Sequence, residues 1–124
     1  MDRGRKVTWP RRGDVYLVAF DPTLGAEIKK TRPALIIQND IANRYSPITI
    51  VAAITSHADS ELYPTEVLLQ PPEGGLKNAS VVQLDQIRSI DKQRLVRPLG
   101  RVASRTLHAV DRAIAISLGL VDLA

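Results

Sequence analysis

The apolar residues of this chain come in short runs rich in β-branched residues, and this feature restricts the possible fold more than any other. The longest run covers residues 48–54 and lies between Pro47 and Thr55-Ser56. Its length and its β-branched residues favour a buried strand over a helix. Similar runs predict strands at residues 15–20, 34–38, 65–69 and 80–84, and a last short strand at 87–90.

Helical periodicity occurs in a segment near the C-terminus. Ser104 is expected to cap this helix, and its apolar stripe consists of Leu107, Val110, Ile114 and Leu118. Residues 41–44 and 91–95 are expected to form only short helical turns. About five or six strands followed by one helix predict a mainly β domain, a small barrel or strongly bent sheet with the helix packed on it.

Composition excludes several classes of protein. The chain has 124 residues, which suits one domain, and its 44% hydrophobic and 24% charged residues exclude wholesale disorder. Cysteine is absent, so there is no disulfide, thiolate zinc site or cysteine nucleophile, and His57 and His108 are too far apart in sequence to suggest a metal site. No apolar run approaches the roughly 18 residues of a membrane span, so we expect a cytoplasmic protein without a membrane segment.

The positive charge is concentrated at the N-terminus. The formal net charge is +4, and residues 1–12 carry that whole excess, with five basic residues against Asp2. The chain therefore divides into a predicted basic arm, residues 1–10, and a single domain, residues 11–124. Such an arm attracts nucleic-acid phosphates in a salt-dependent way, but it can equally be a solubilising terminus.

Polar side chains cluster at three places that are predicted to be loops or strand ends. The clusters are Glu27, Lys29, Lys30, Thr31 and Arg32; Thr55, Ser56 and His57; and Gln83, Asp85, Gln86 and Arg88. The fork of an arginine matches a phosphate, and a hydroxyl can donate to a phosphate oxygen. The alternatives are a solvated loop, hydroxyls bonded to nearby backbone, and an ion pair. Residue types alone predict only a β-rich domain whose polar strand ends can bind a phosphate.

Several segments form a recognisable set in their order along the chain: Arg12-Gly13-Asp14-Val15-Tyr16, Asp21-Pro22-Thr23-Leu24-Gly25-Ala26-Glu27, Lys30-Thr31-Arg32-Pro33-Ala34-Leu35-Ile36-Ile37-Gln38-Asn39-Asp40, Asn43-Arg44-Tyr45-Ser46-Pro47, Ala53-Ile54-Thr55-Ser56 and Asp85-Gln86-Ile87-Arg88-Ser89-Ile90-Asp91-Lys92-Gln93-Arg94-Leu95. This set resembles the sequence of MazF/PemK-like toxins, and the resemblance covers roughly residues 11–120.

The resemblance implies a fold, a reaction and partners. It implies a homodimer with an SH3-like barrel, the toxin of a type II toxin–antitoxin system, inhibited by a cognate antitoxin. The implied activity is sequence-specific cleavage of single-stranded RNA, including mRNA, without a metal or other cofactor. The 2′-hydroxyl of the RNA attacks the adjacent phosphorus and leaves a 2′,3′-cyclic phosphate and a 5′-hydroxyl.

The resemblance also implies roles for individual residues. Arg32 corresponds to a catalytic arginine that stabilises charge on the phosphate, and Thr55 corresponds to a catalytic threonine, assisted by Ser56. The implied RNA-binding residues are Glu27, Lys29, Lys30, Ser56, Asp85, Gln86 and Arg88. Some relatives carry a histidine where this chain has Ala26, so the identity of the general base stays open.

Two non-enzymatic alternatives remain. A related group with the same barrel binds and poisons DNA gyrase, and the Arg32-Pro33 and Thr55-Ser56 motifs favour the ribonuclease over that group. A plain RNA-binding module should expose stacking aromatic residues. This chain has one tryptophan, three tyrosines and one phenylalanine, most of which are expected to pack inside the domain.

Overall fold

The computed structural model describes residues 9–20, 31–57 and 61–122, and six strands and two helices lie within them. The strands are β1 (Asp14–Ala19), β2 (Thr31–Ile36), β3 (Ile48–Ser56), β4 (Glu66–Leu69), β5 (Ser80–Asp91) and β6 (Leu95–Arg101). Helix α1 (Asp40–Tyr45) lies between β2 and β3, and α2 (Ser104–Ser117) follows β6. The strands form one antiparallel sheet in the order β4-β5-β3-β2-β1-β6. The predicted mainly β class with a C-terminal helix is confirmed.

Each face of the sheet carries a hydrophobic cluster. The larger cluster includes Leu35, Ala52 and Leu84, and helix α2 contributes Val110 and Ala113 to it. The smaller cluster, on the opposite face, consists of Val18, Phe20, Ala34, Ile36, Val51 and Ile90, with Tyr16 and Leu95 packed against it. Successive residues of a strand point to opposite faces, so the alternation along β2 and β3 supplies both clusters.

Burial raises the pKa of Tyr16, and the nearby Asp14 carboxylate raises it further.

The two edges of the sheet meet through close backbone packing. A 3-10 turn, Glu73–Gly75, follows edge strand β4 and lies against the backbone of the other edge strand, β6. A Cβ atom on Gly75 would lie 1.9 Å from the Leu99 carbonyl oxygen, and one on Gly100 would lie 2.6 Å from the Gly74 carbonyl carbon. The sheet is therefore curled into the bent, barrel-like shape that the sequence predicts.

Strand boundaries differ from the predicted ones at β5 and β6. The predicted strands 80–84 and 87–90 are one strand, β5, which carries an irregularity opposite Ala52 and Ala53 of β3. Strand β6 was not predicted, because Pro98 and Gly100 interrupt its apolar pattern. Proline is tolerated at the edge of a sheet, where one side of the strand needs no partner, and β6 is an edge strand.

The predicted cap of the C-terminal helix was wrong. The cap residue of α2 is Ala103 rather than Ser104, and it makes no side-chain capping bond. The carboxylate of Glu73 takes that role, because it accepts hydrogen bonds from the Ala103 N–H at 2.9 Å and from the Thr106 hydroxyl. A carboxylate also suits the positive end of the helix dipole. The short turns predicted at 41–44 and 91–95 are confirmed as α1 and as a 3-10 turn, Lys92–Arg94, capped by Asp91.

Among the described residues, neither helix is long and apolar enough to cross a membrane.

Candidate active site

The register of the sheet brings Arg32 and Thr55 to the same place. Ala34 of β2 pairs with Ala53 of β3, and the ladder between the two strands ends there. If this register is extended by two residues, toward the start of β2 and the end of β3, Arg32 lies opposite Thr55. Residues opposite each other in an antiparallel pair point to the same face. Arg32 and Thr55 therefore lie on the face of the smaller cluster, where the two strands are no longer joined by hydrogen bonds.

A pocket of about 210 Å³ lies at this end of the sheet. Its polar lining consists of Arg32, Thr55, Ser56, Lys77, Asn78 and Ser80, and its apolar lining of Pro33, Ile54 and Leu76. Pockets that enclose a whole drug-sized ligand have volumes of about 300–1,000 Å³, so this one suits a smaller group such as a phosphate. Two cationic side chains and three hydroxyls line it, and none of the described lining residues is a carboxylate. The pocket is therefore complementary to an anion.

Sequence reasoning missed Lys77 and Asn78. Both follow residues 71–75, whose prolines and glycines predict a turn but give no periodic pattern. The pairing of Ser56 with Ser80 brings the start of β5 to the end of β3, and the residues just before β5 come with it. A prediction of the β3–β5 register would therefore have placed Lys77 and Asn78 beside Thr55.

Three predicted RNA-binding residues on β5 lie outside this pocket. The register passes from the Ala52–Ile87 pair directly to Ala53–Gln83, so Asp85 and Gln86 lie in a bulge and are exposed. Arg88 pairs with Val51, four residues before Thr55 on β3, which is about 13 Å along a strand. These residues share the sheet with the pocket but do not line it.

Arg88 also has a contact within the fold. Its guanidinium lies over the ring of Phe20 at 5.2 Å from the centroid, on the face that carries the smaller cluster. Arg94 donates to the carbonyl oxygens of Ala19 and Phe20 at 3.1 and 3.2 Å, and so holds the end of β1. The other predicted RNA-binding residues, Glu27, Lys29 and Lys30, lie outside the described residues.

Within residues 9–20, 31–57 and 61–122, no three histidine, aspartate or glutamate side chains come together in a group that could hold a metal ion. The chemistry available in the pocket is that of a guanidinium, an ammonium, an amide and hydroxyl groups. Such a set can bind a phosphate and stabilise added negative charge on it.

The sequence matches the family described as the PemK-like, MazF-like toxin of type II toxin–antitoxin systems, over residues 11–118. The chain belongs to this PemK/MazF-like toxin family. A curated relative, "Endoribonuclease EndoA" of Bacillus subtilis strain 168, is 45% identical over 112 residues, which are 90% of this chain and 97% of that protein. The match agrees with the family resemblance of the sequence.

Solved structures of the PemK/MazF-like family share the fold. An endoribonuclease in complex with its cognate antitoxin, from a mycobacterial species, superposes with a TM-score of 0.73 at 29% identity and covers 91% of this chain and 98% of that one. The MazE-MazF structure (Form-II) from Deinococcus radiodurans gives a TM-score of 0.77 at 28% identity, with coverage of 93% of this chain and 100% of that one.

Proposed function

We propose that this protein is the toxin of a type II toxin–antitoxin system and cuts single-stranded RNA, mRNA included, as a sequence-specific endoribonuclease without a metal. The observation that carries the proposal is the pocket in which Arg32 lies opposite Thr55, beside Ser56. Family membership and the endoribonuclease EndoA, at 45% identity, support RNA cleavage over the poisoning of DNA gyrase.

The proposed reaction needs no nucleophile from the protein. The 2′-oxygen of the RNA loses its proton and forms a bond to the adjacent phosphorus, and the bond from phosphorus to the 5′-oxygen breaks. The 5′-oxygen takes up a proton, so the products are a 2′,3′-cyclic phosphate and a 5′-hydroxyl. Negative charge grows on the phosphate oxygens as the 2′-oxygen approaches, and groups that bind those oxygens lower the barrier.

Arg32 and Thr55 are the proposed catalytic residues. The guanidinium of Arg32 is always charged and can donate two parallel hydrogen bonds to phosphate oxygens, so it stabilises the transition state rather than acting as a base. The Thr55 hydroxyl donates to a non-bridging oxygen or orients the 2′-hydroxyl, and the Ser56 hydroxyl assists it. Glu27, Lys29, Lys30, Asp85, Gln86 and Arg88 are proposed to bind the RNA chain away from the cut.

The proposed function includes partners. We propose that the protein works as a homodimer in the cytoplasm, where mRNA is available, and that a cognate antitoxin inhibits it. The mycobacterial endoribonuclease bound to its antitoxin and the MazE-MazF structure support such a partner, because both share this fold. A disordered acidic segment of the antitoxin would complement the cationic pocket.

The test is cleavage of a long single-stranded RNA by the purified protein in EDTA, with the ends of the fragments mapped. We expect discrete cuts with 5′-hydroxyl ends. Arg32→Ala should lower the cleavage rate about 100- to 1,000-fold, because it removes a charged donor to the transition state. Thr55→Val should act in the same direction, and Thr55→Ser, which keeps the hydroxyl, should retain most activity.

The matched control is Arg105→Ala, which removes an exposed arginine of α2 outside the pocket and should leave cleavage unchanged. Arg32 is exposed at the end of β2, so its variant should keep the circular dichroism spectrum and melting temperature of the parent. RNA left intact by the parent protein would contradict the proposal, and inhibition of gyrase supercoiling would then be measured.

A further inference from the structure

Lys77 projects from a segment whose backbone is held on both sides. Leu76, just before it, is buried in the larger hydrophobic cluster. After it, the Ser80 hydroxyl donates to the Asn78 carbonyl at 2.9 Å, and the His57 N–H donates to the Ala79 carbonyl at 3.0 Å. The side chain of Lys77 itself is exposed. The fold therefore fixes the backbone from which the flexible side chain of Lys77 extends.

The strand order sets that position relative to the proposed catalytic residues. Strand β3 lies between β2 and β5, so Thr55 has Arg32 on its β2 side and the segment preceding β5 on its other side. Lys77 lies in that segment and lines the same pocket. The two cationic residues of the pocket thus lie on opposite sides of β3.

The ion pairs within the described part of the chain do not involve Lys77. They join Arg12 to Asp111 and Arg101 to Asp14, at the side of the molecule where β1, β6 and α2 meet. None of the described residues that line the pocket is a carboxylate that could offset the charge of Lys77. A lysine held in this way favours an anionic partner.

We propose that Lys77 binds the phosphate next to the scissile one and so holds the RNA in position over Thr55. The inference rests on the proposed ribonuclease function and deepens it. Arg32 and Thr55 act at the scissile phosphate, whereas the Lys77 ammonium is a compact point charge that suits a phosphate without a fixed geometry. A single-stranded chain that crosses the pocket from the β2 side to the β5 side then meets Arg32 first and Lys77 second.

The test compares Lys77→Ala, Lys77→Arg and a control, Lys92→Ala. Lys92 lies in the 3-10 turn after β5, and its N–H donates to the Pro47 carbonyl, just before the start of β3 and away from the pocket. Steady-state cleavage of a short RNA gives kcat and KM. Binding of the same RNA with 2′-deoxyribose at the cut gives the affinity at several salt concentrations, because that RNA has no attacking hydroxyl.

We expect Lys77→Ala to raise KM about tenfold with little change in kcat. It should also reduce the slope of log affinity against log salt by about 0.7, the value for one phosphate contact on a single strand. Lys77→Arg should keep the slope of the parent, and Lys92→Ala should change neither KM nor the slope.

Three results would overturn the inference while the ribonuclease function stands. One is an unchanged KM and salt slope in Lys77→Ala. Another is an equal loss in Lys92→Ala, which would indicate a general effect of net charge. The third is a fall in kcat at constant KM, which would place the action of Lys77 in the transition state. A parent protein that leaves RNA uncut would instead remove the proposed function and this inference with it.

Discussion

Asn43 is wholly buried and holds helix α1 against the sheet through its side-chain amide. The amide nitrogen donates to the Gln38 carbonyl at 2.8 Å and to an Asp40 carboxylate oxygen at 3.3 Å. The amide oxygen accepts from the Thr49 hydroxyl at 2.7 Å, and Thr49 is also wholly buried. Gln38, Asp40 and Asn43 belong to two of the segments that resemble the toxin family, and their hydrogen bonds serve the packing of α1 rather than chemistry in the pocket.

We expect Asn43→Ala to lower the free energy of unfolding by about 2–3 kcal/mol, because it leaves the buried Thr49 hydroxyl without its acceptor. The matched variant is Asn39→Ala, which removes only the exposed cap of α1, a hydrogen bond from the Ala42 N–H to the Asn39 side chain. That loss should cost about 1 kcal/mol. Urea denaturation measures both, and equal losses would contradict the role of Asn43. The folded fraction of each variant should cleave RNA at the rate of the parent protein.

At the scale of single residues, the sequence predicts those site residues whose spatial neighbours follow from strand pairing. Arg32 comes just before one apolar run and Thr55 directly after another, and antiparallel pairing of those runs brings the two residues together. Lys77 has no local signal of its own, because it follows a turn without a periodic pattern, and only the β3–β5 register brings it beside Thr55. Ser104 is a wrong prediction for the helix cap, because α2 begins at Ser104 with Ala103 as its cap residue, and Glu73, about thirty residues away in sequence, bonds to the Ala103 N–H instead.

Among the elements, the 3-10 turn Glu73–Gly75 contacts both β6 and α2 and leads into the segment that lines the pocket. Its glycines pack on β6, its glutamate caps α2, and the chain that leaves it carries Lys77. The sequence predicts a turn here from the proline and glycine residues, but not that the turn contacts β6. The sequence does not predict strand β6, because proline and glycine are typical of strand ends, although an edge strand tolerates both.

Alanine variants at Gly75 and Gly119 separate the effect of backbone conformation on stability from the effect of steric contact. Both have positive φ, +74° and +76°, but an added Cβ would lie 1.9 Å from the Leu99 carbonyl oxygen at Gly75 and would have nothing within 4 Å at Gly119. Gly119→Ala should cost only the conformational penalty, about 1–2 kcal/mol. Gly75→Ala must also separate the turn from β6, so we expect a loss of more than about 4 kcal/mol.

Thermal and urea denaturation of the two variants measure this difference. Similar losses in both would mean that the backbone of the turn moves away from Leu99 without cost, and that the contact does not hold the sheet edges together. A large loss in Gly75→Ala alone would support the packing of the two edges as the feature that keeps the sheet curled.

On the scale of the whole molecule, Trp9 and Pro10, the last two residues of the predicted arm, contact the rest of the fold. Pro10 is buried, and the Trp9 ring lies 4.9 Å from the Arg44 guanidinium. Arg12 donates to the Ile37 carbonyl and to Asp111 of α2, so it joins the sheet to the C-terminal helix. The sequence alone counts the charge of Arg12 with the N-terminal excess, because an ion pair with a residue 99 positions away has no signal in the local sequence.

The charged residues of the predicted arm, residues 1–10, are Arg3, Arg5 and Lys6 against Asp2, and all of them lie within residues 1–8. We expect deletion of residues 1–8 to weaken binding of single-stranded RNA and to reduce the slope of log affinity against log salt by up to about 2, because each lost phosphate contact removes about 0.7. The cut sites should not change, since sequence is read by contacts to bases and not to phosphates. Full-length protein with Arg3→Gln, Arg5→Gln and Lys6→Gln should reproduce the deletion. New cut sites in either variant, or an unchanged salt slope in both, would contradict a purely electrostatic role for this segment.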